Sequence, residues 1–334
     1  MHISDRTRDL HDRAIIVDAH NDSLIQRLAD GEDLDLTMRD ERYHFDIPRA
    51  LEGGLTCSFF MVGGSTLEQS MALFDGTARL AEEHADQVIY ATCVADIERA
   101  RAEGKLALIA QLESCTCLGG SIATLRNLYR LGLRVANLTH GEGGEGTTQL
   151  ERSTFDYCTP ADRQAARTGP GLSKFGREVI AECNRIGVVV DLAHANDASF
   201  CEAVELSSMP PIFSHGAVFA QSPHWRGLTD DQLRLLAQAG GVIGIAFHPL
   251  FIDREAPSMA RLIDSFAHVI DLVGPDHAGI GADYDGMGSH VPIPRAIEHL
   301  REFTEALVAR GLDDETILKV LGGNFMRVLR QVTG

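Results

Sequence analysis

Residues 14–22 read AIIVDAHND, an apolar, β-branched run that stops on a histidine, an asparagine and an aspartate. Alternation is absent from its apolar part, as in a strand buried on both faces, and such strands belong to parallel sheets covered by helices. Seven further runs of this kind follow. They are GLTCSFFMVGG at 54–64, KLALIAQLES at 105–114, LRVANLTH at 133–140, GVVVDLAH at 187–194, PPIFSH at 210–215, GVIGIAFH at 241–248 and HAGIGADYDG at 277–286. Between them lie helical segments such as SIATLRNLYRLG, LSKFGREVIAECNRIG, TDDQLRLLAQAG and SMARLIDSFAHVIDLVG, with capping residues in front and glycine behind. Eight strands alternating with helices predict a closed (β/α)8 TIM barrel. The ending DDETILKVLGGNFMRVLRQV is expected to form one or two helices closing the barrel, and no Pro/Ser-rich linker interrupts the chain. One domain over residues 1–334 is therefore expected.

Composition narrows the function. The chain has 334 residues, 44% hydrophobic and 23% charged, and a formal net charge of −18. That charge repels a phosphate backbone, and no basic stripe opposes it, so nucleic acid is excluded as an expected partner. No apolar run approaches the ~20 residues that span a bilayer, and the charged start MHISDRTRDLHDRA lacks the apolar centre of a signal peptide. A soluble, cytoplasmic protein without a membrane partner is the expectation. Seven cysteines in such a chain read as reduced thiols, and the close pair Cys115 and Cys117 as small buried side chains.

In a barrel of this kind the loops after the strands line the mouth where chemistry occurs. Five of the 14 histidines, His20, His140, His194, His215 and His248, fall on the last residues of the proposed strands. Random scattering over about two terminal positions per strand would place fewer than about one there. Convergence from several strands points to metal coordination. His20 and Asp22, two residues apart on one strand, can grip one ion from the same side. His194 and His215 each offer an imidazole to a second. Two ions need a bridge, and a modified lysine cannot supply it, because Lys105 starts a strand while Lys174 and Lys319 lie in helical segments. Glu113, at the end of the third strand, is the expected bridge; left alone there it would be a buried unpaired charge. Asp283 and Asp285, after the eighth strand, are candidates for proton transfer, Asp283 foremost. His248, with Pro249 behind it, reads as loop structure. The run Gly141 to Gly146 fits GxGxxG, but its two glutamates would repel a pyrophosphate, so no dinucleotide is expected.

HND on the first strand, the third-strand glutamate, LTH, DLAH, FSH and GADYDG, in this order, together with GGNFMRVL at the end, resemble the renal or membrane dipeptidase family, peptidase family M19 of the amidohydrolase superfamily. The resemblance covers nearly the whole chain. It implies a binuclear zinc dipeptidase in which His20 and Asp22 bind one Zn2+, His194 and His215 the other, and Glu113 bridges them. It implies further that His140 contacts the scissile carbonyl or its oxyanion, that Asp283 handles protons, and that Arg226 in HWRGLTDDQL holds the substrate's free carboxylate. A guanidinium suits that task because it grips a carboxylate through two parallel hydrogen bonds. Dipeptides, L-Xaa-D-Xaa among them, are the implied substrates, and a homodimer the implied assembly. The stretch HGEGGEGTTQLERSTFDYC and the segment FHPLFID depart from the animal enzymes, whose secretion and lipid-anchor signals are also missing, and this leaves open another amidohydrolase acting on an ester, a lactone or a different amide. His and carboxylate ligands also accept manganese, cobalt or iron. A barrel that has lost catalysis would lack this set of ligands, proton-transfer carboxylate and clamp.

Overall fold

A computed structural model of the protein describes residues 2–140 and 171–334. The departing stretch after His140 and the GxGxxG run lie outside them. Ten strands form one parallel system: β1 Val17–Asn21, β2 Cys57–Met61, β3 Val88–Ala91, β4 Leu106–Glu113, β5 Leu133–Asn137, β6 Val189–Asp191, β7 Ile212–Val218, β8 Gly227–Leu228, β9 Val242–Ile245 and β10 Ala278–Ile280. Eight of them close on themselves in the order β1, β2, β4, β5, β6, β7, β9, β10, with Asp18 of β1 opposite Ile280 of β10 at the seam. These eight are the runs read in the sequence, so the fold is a (β/α)8 barrel. The other two were not expected. β3 pairs with the first half of β4, Val88 opposite Leu106 to Ala91 opposite Ile109, before β5 takes over at Ala110. β8 lies beside the end of β7, with Ala217 opposite Gly227.

The helices sit where capping chemistry places them. Ser121, Ser173, Thr229 and Ser258 each accept a hydrogen bond from the first turn of the helix they precede, and Thr229 forms a full capping box with Gln232. Inside the barrel Val17, Phe59, Ile109, Val135, Val189, Ile212 and Val242 fill the lower half. Phe325, Met326 and Leu329 of the final helix Asn324–Thr333 plug it from below. A wide turn, Lys319–Gly323, carries the chain under β1, and a Cβ on Gly322 would collide with the Ile15 carbonyl. With the bottom sealed by apolar side chains, the polar ends of the strands have only the upper mouth to occupy.

Candidate metal centre

The strands deliver their polar ends by two local irregularities. Between Asp18 and Asn21, three residues of β1 pass while β2 advances two, from Ser58 to Phe60. The same slip occurs in β7 between Phe213 and Gly216 against Ile243 and Ile245 of β9. Such bulges re-aim side chains, and each contains a candidate ligand, His20 in the first and His215 in the second. The two rings stack at 3.8 Å.

Glu113, the last residue of β4, stands at the centre. Its Oε1 lies 2.9 Å from His194 Nε2 and 3.3 Å from both His20 Nε2 and His215 Nε2. His20 Nε2 also faces Asp22 Oδ1 at 3.4 Å, and His194 Nε2 faces His215 Nε2 at 3.1 Å. Asp283 joins His20 and Asp22 with ligand atoms within 4.8 Å of one another, and His140 does so with Glu113 and His194. All five candidate ligands are buried. His140 is half-buried, its Nε2 3.8 Å from Glu113 Oε2.

The donor set fits a divalent cation. Two ligands each about 2.1 Å from an ion at a tetrahedral angle lie about 3.4 Å apart, which is close to the spacing of His20 Nε2 from Asp22 Oδ1, 3.4 Å, and from Glu113 Oε1, 3.3 Å. His20 Nε2 and Asp22 Oδ1 have no hydrogen-bond partner among the described residues although both are buried, an expensive arrangement that an ion would relieve. Electrostatics agree. Burial opposes charging of His20, but Glu113 and Asp22 outweigh it and hold its pKa well above the ordinary value. Burial also opposes ionisation of Glu113, yet His20 and His140 pull it well below the carboxylate range. His194 and His215 are pushed well down, first by burial and then by neighbouring cationic groups such as Arg226. Burial pushes Asp283 up to about 8, with Asp22 and Glu113 adding to it and His20 opposing. His194 and Asp283 both adopt positive φ, 68° and 67°, as does Asp285 at 64°, a turn conformation that aspartate and histidine adopt more readily than most residues.

Arg226 is buried beside β8, its Nη2 donating to the His215 carbonyl at 3.2 Å. Its guanidinium carbon lies 5.4 Å from the Trp225 ring centre and 5.7 Å from that of Phe251. The fork is therefore held next to the cluster of candidate ligands. Asp285 turns away from it: Ser23 Oγ donates to its Oδ2 at 2.5 Å and the His44 N–H to its Oδ1 at 2.6 Å. Of the two aspartates, Asp283 is the one that joins the candidate ligands. His248 caps the short helix Pro249–Ile252, accepting from Leu250 N at 3.2 Å. Cys115 and Cys117 are buried and free, in the turn after β4.

Residues that the sequence reading passed over support the ligands. Gln111 Oε1 accepts from His20 Nδ1 at 2.9 Å, and Ser214 Oγ lies 2.9 Å from His215 Nδ1. Gln111 is two residues before Glu113 on the same strand face, a spacing that could have drawn attention to it.

Comparison with known proteins places this geometry in a lineage. The family model described as membrane dipeptidase, peptidase family M19, matches residues 4–334. The chain is 33% identical to the dipeptidase tcpJ of Claviceps purpurea over 80% of its own length and 61% of that protein's. It is 29% identical to the dipeptidase aclJ of Aspergillus oryzae over 96% and 78% of the two lengths. The chain thus spans about three fifths to four fifths of these relatives. A metallo peptidase of Rhodobacter sphaeroides, solved with a phosphinate mimic of the dipeptide L-Ala-D-Ala, shares the fold with a TM-score of 0.83 and 23% identity, over 96% of this chain and all of that one.

Proposed function

The chain belongs to the membrane dipeptidase family, peptidase family M19, and from that premise we propose that it is a binuclear zinc dipeptidase acting on dipeptides with a free C-terminal carboxylate. The observation that carries this reading is the convergence of three imidazole Nε2 atoms on Glu113 Oε1 within 3.3 Å, beside a buried arginine. His20 and Asp22 would hold one ion and His194 and His215 the other, with Glu113 between them. Zinc bound there supplies Lewis-acid chemistry, lowering the pKa of water and polarising a carbonyl; manganese, cobalt or iron would suit the same donors.

The remaining work belongs to the protein's own groups. Arg226 binds the substrate carboxylate through its fork and thereby measures length, since a longer peptide places an amide where the carboxylate must sit. His140, the least buried of the cluster's histidines, donates a hydrogen bond to the carbonyl oxygen as negative charge develops there. Asp283, beside Asp22 and His20, takes the proton that the attacking water gives up and passes it to the amine nitrogen as the C–N bond breaks. The buried walls exclude bulk water and strengthen each of these interactions. The neighbour solved with a mimic of L-Ala-D-Ala supports including D-configured C-terminal residues, and we extend the reading to L-Xaa-D-Xaa dipeptides.

The test is hydrolysis of matched L-Xaa-L-Xaa and L-Xaa-D-Xaa dipeptides by zinc-loaded protein, with C-terminally amidated dipeptides and the Arg226→Ala variant alongside. Loss of a buried bidentate ion pair is worth about 2–4 kcal/mol, so kcat/KM is expected to fall about 30- to 1,000-fold in the variant. Amidation should cost the wild type a similar factor and the variant little. Zinc-replete protein inert towards every dipeptide would move the function to another amide, ester or lactone.

A further inference from the structure

Asp191, the fully buried last residue of β6, touches none of the reacting groups, yet hydrogen bonds lead from it to two of the candidate ligands. Its Oδ1 accepts the N–H of Ala193 at 3.1 Å and of Ser214 at 2.9 Å. Its Oδ2 accepts from Gln111 Nε2 at 2.9 Å. The amide of Gln111 is thereby oriented, because its NH2 end faces the carboxylate and its Oε1 end must face His20 Nδ1, 2.9 Å away. An amide oxygen can only accept, so Nδ1 carries the proton and Nε2 is the nitrogen left to bind a cation. Ser214, whose N–H bonds Asp191 Oδ1, also sets its hydroxyl 2.9 Å from His215 Nδ1, so one carboxylate reaches both of the stacked rings.

We infer that Asp191 is a positioning residue that, through Gln111, fixes which nitrogen of His20 carries the proton and so keeps the Nε2 lone pair turned towards Glu113 and Asp22. The inference rests on the proposed role of His20 as a metal ligand. Its distinctive consequence is polarity. In Asp191→Asn the two backbone N–H groups still need an acceptor, so the asparagine oxygen stays with them and its NH2 turns towards Gln111. Gln111 must then flip and offer its own NH2 to His20 Nδ1, which becomes the acceptor, and the ring proton moves to Nε2, where it competes with the ion. Adding Gln111→Glu supplies an acceptor to both neighbours and restores the original tautomer, at unchanged total charge.

The experiment titrates metal-stripped full-length protein with zinc against a chromophoric chelator, and records the melting temperature of each stripped variant. Partners of this kind commonly change metal affinity 10- to 100-fold. Asp191→Asn is expected to weaken zinc binding by about that factor, and the Gln111→Glu/Asp191→Asn double variant to return to within about threefold of wild type. If Asp191→Asn does not fold, Gln111→Leu, which removes the middle of the relay, should weaken zinc about tenfold with its melt retained. Unchanged affinity in Asp191→Asn or Gln111→Leu, or a double variant no better than the single one, overturns the relay. Wild-type protein that binds no zinc would sink the metal-site reading and the relay with it, an outcome plainly different from a wild type that binds and a variant that does so equally well.

Discussion

At Gly286 a methyl group would collide with the carboxylates of both Asp22 and Asp283, so the glycine of GADYDG is a condition for those two groups to approach each other. Gly286 is exposed and its φ is not positive, which leaves little other reason for a glycine there. Gly286→Ala is therefore expected to melt within about 1 kcal/mol of wild type, since the collision is with side-chain ends that can swing aside. They would swing out of the site. Activity with zinc should fall at least about tenfold, an amount that a displacement of ~1 Å at a reacting group readily produces; full activity in this variant would show that the two carboxylates need not meet. At this scale much of the site was readable, because every strand-end histidine and carboxylate named from the sequence, Asp285 and His248 aside, is found around Glu113. Those two were ambiguous for a physical reason: strand-end polar groups also tie down distant backbone or cap helices, as Asp285 and His248 respectively do here. Asp191 and Ser214 were not readable, and Gln111 only through its spacing from Glu113, since a buried polar side chain acquires its meaning from the partners that the fold brings to it.

The strands of the barrel announce themselves by continuous burial, which writes an apolar run eight times over. β3, four residues long and paired only along part of β4, carries too short a signal, and β8 is the two residues Gly227 and Leu228. The bulges in β1 and β7 leave no trace in composition, although they aim His20 and His215. The helix Asp5–Arg13 shows how an element outside the barrel is tied down by one polar residue. His11, on its buried face, bonds Thr304 Oγ1 through Nδ1 at 2.9 Å and the Gly53 carbonyl through Nε2 at 2.7 Å. Burial lowers its pKa from 6.5 to about 4, with the Gly53 carbonyl opposing. A depressed pKa means the unfolded chain binds the proton more readily, so the contribution is complete above pH 6.5 and is lost as pH falls towards 4. Those values correspond to roughly 3 kcal/mol across the window. His11→Gln, which keeps a donor and an acceptor, should flatten the dependence of melting temperature on pH between 4 and 6.5 while leaving the neutral-pH melt within about 1–2 kcal/mol of wild type. An equally steep acid limb in the variant would place the acid sensitivity elsewhere.

Across the whole molecule, charge and topology act on the same ions. The candidate ligands come from β1, β4, the loop after β6, and β7, which are four of the eight strands that close the barrel. No helix among the described residues is long and apolar enough to cross a membrane. The last helix packs under the lower half of the barrel, so the candidate ligands face the upper mouth. Asp22 is raised first by burial and then by the neighbouring Glu113. The net charge of −18 adds a long-range attraction for cations that salt weakens. An ion that binds only the folded barrel stabilises it by about 4 kcal/mol at a thousand times its Kd. In proteins of 150–250 residues each kcal/mol moves the midpoint by about 2–4 °C, and by less in a larger chain. Stripping the protein with a chelator should therefore lower its melting temperature by roughly 5–10 °C, and zinc, added back in excess, should restore it in a concentration-dependent way. Replacing His215 with Ala should make the melt largely insensitive to the second equivalent of zinc, because the folded state then gains little from it. A wild-type melt unmoved by chelation and by added zinc would mean that the four strands are held together by their packing alone, with the histidine and carboxylate cluster serving some end other than binding a cation.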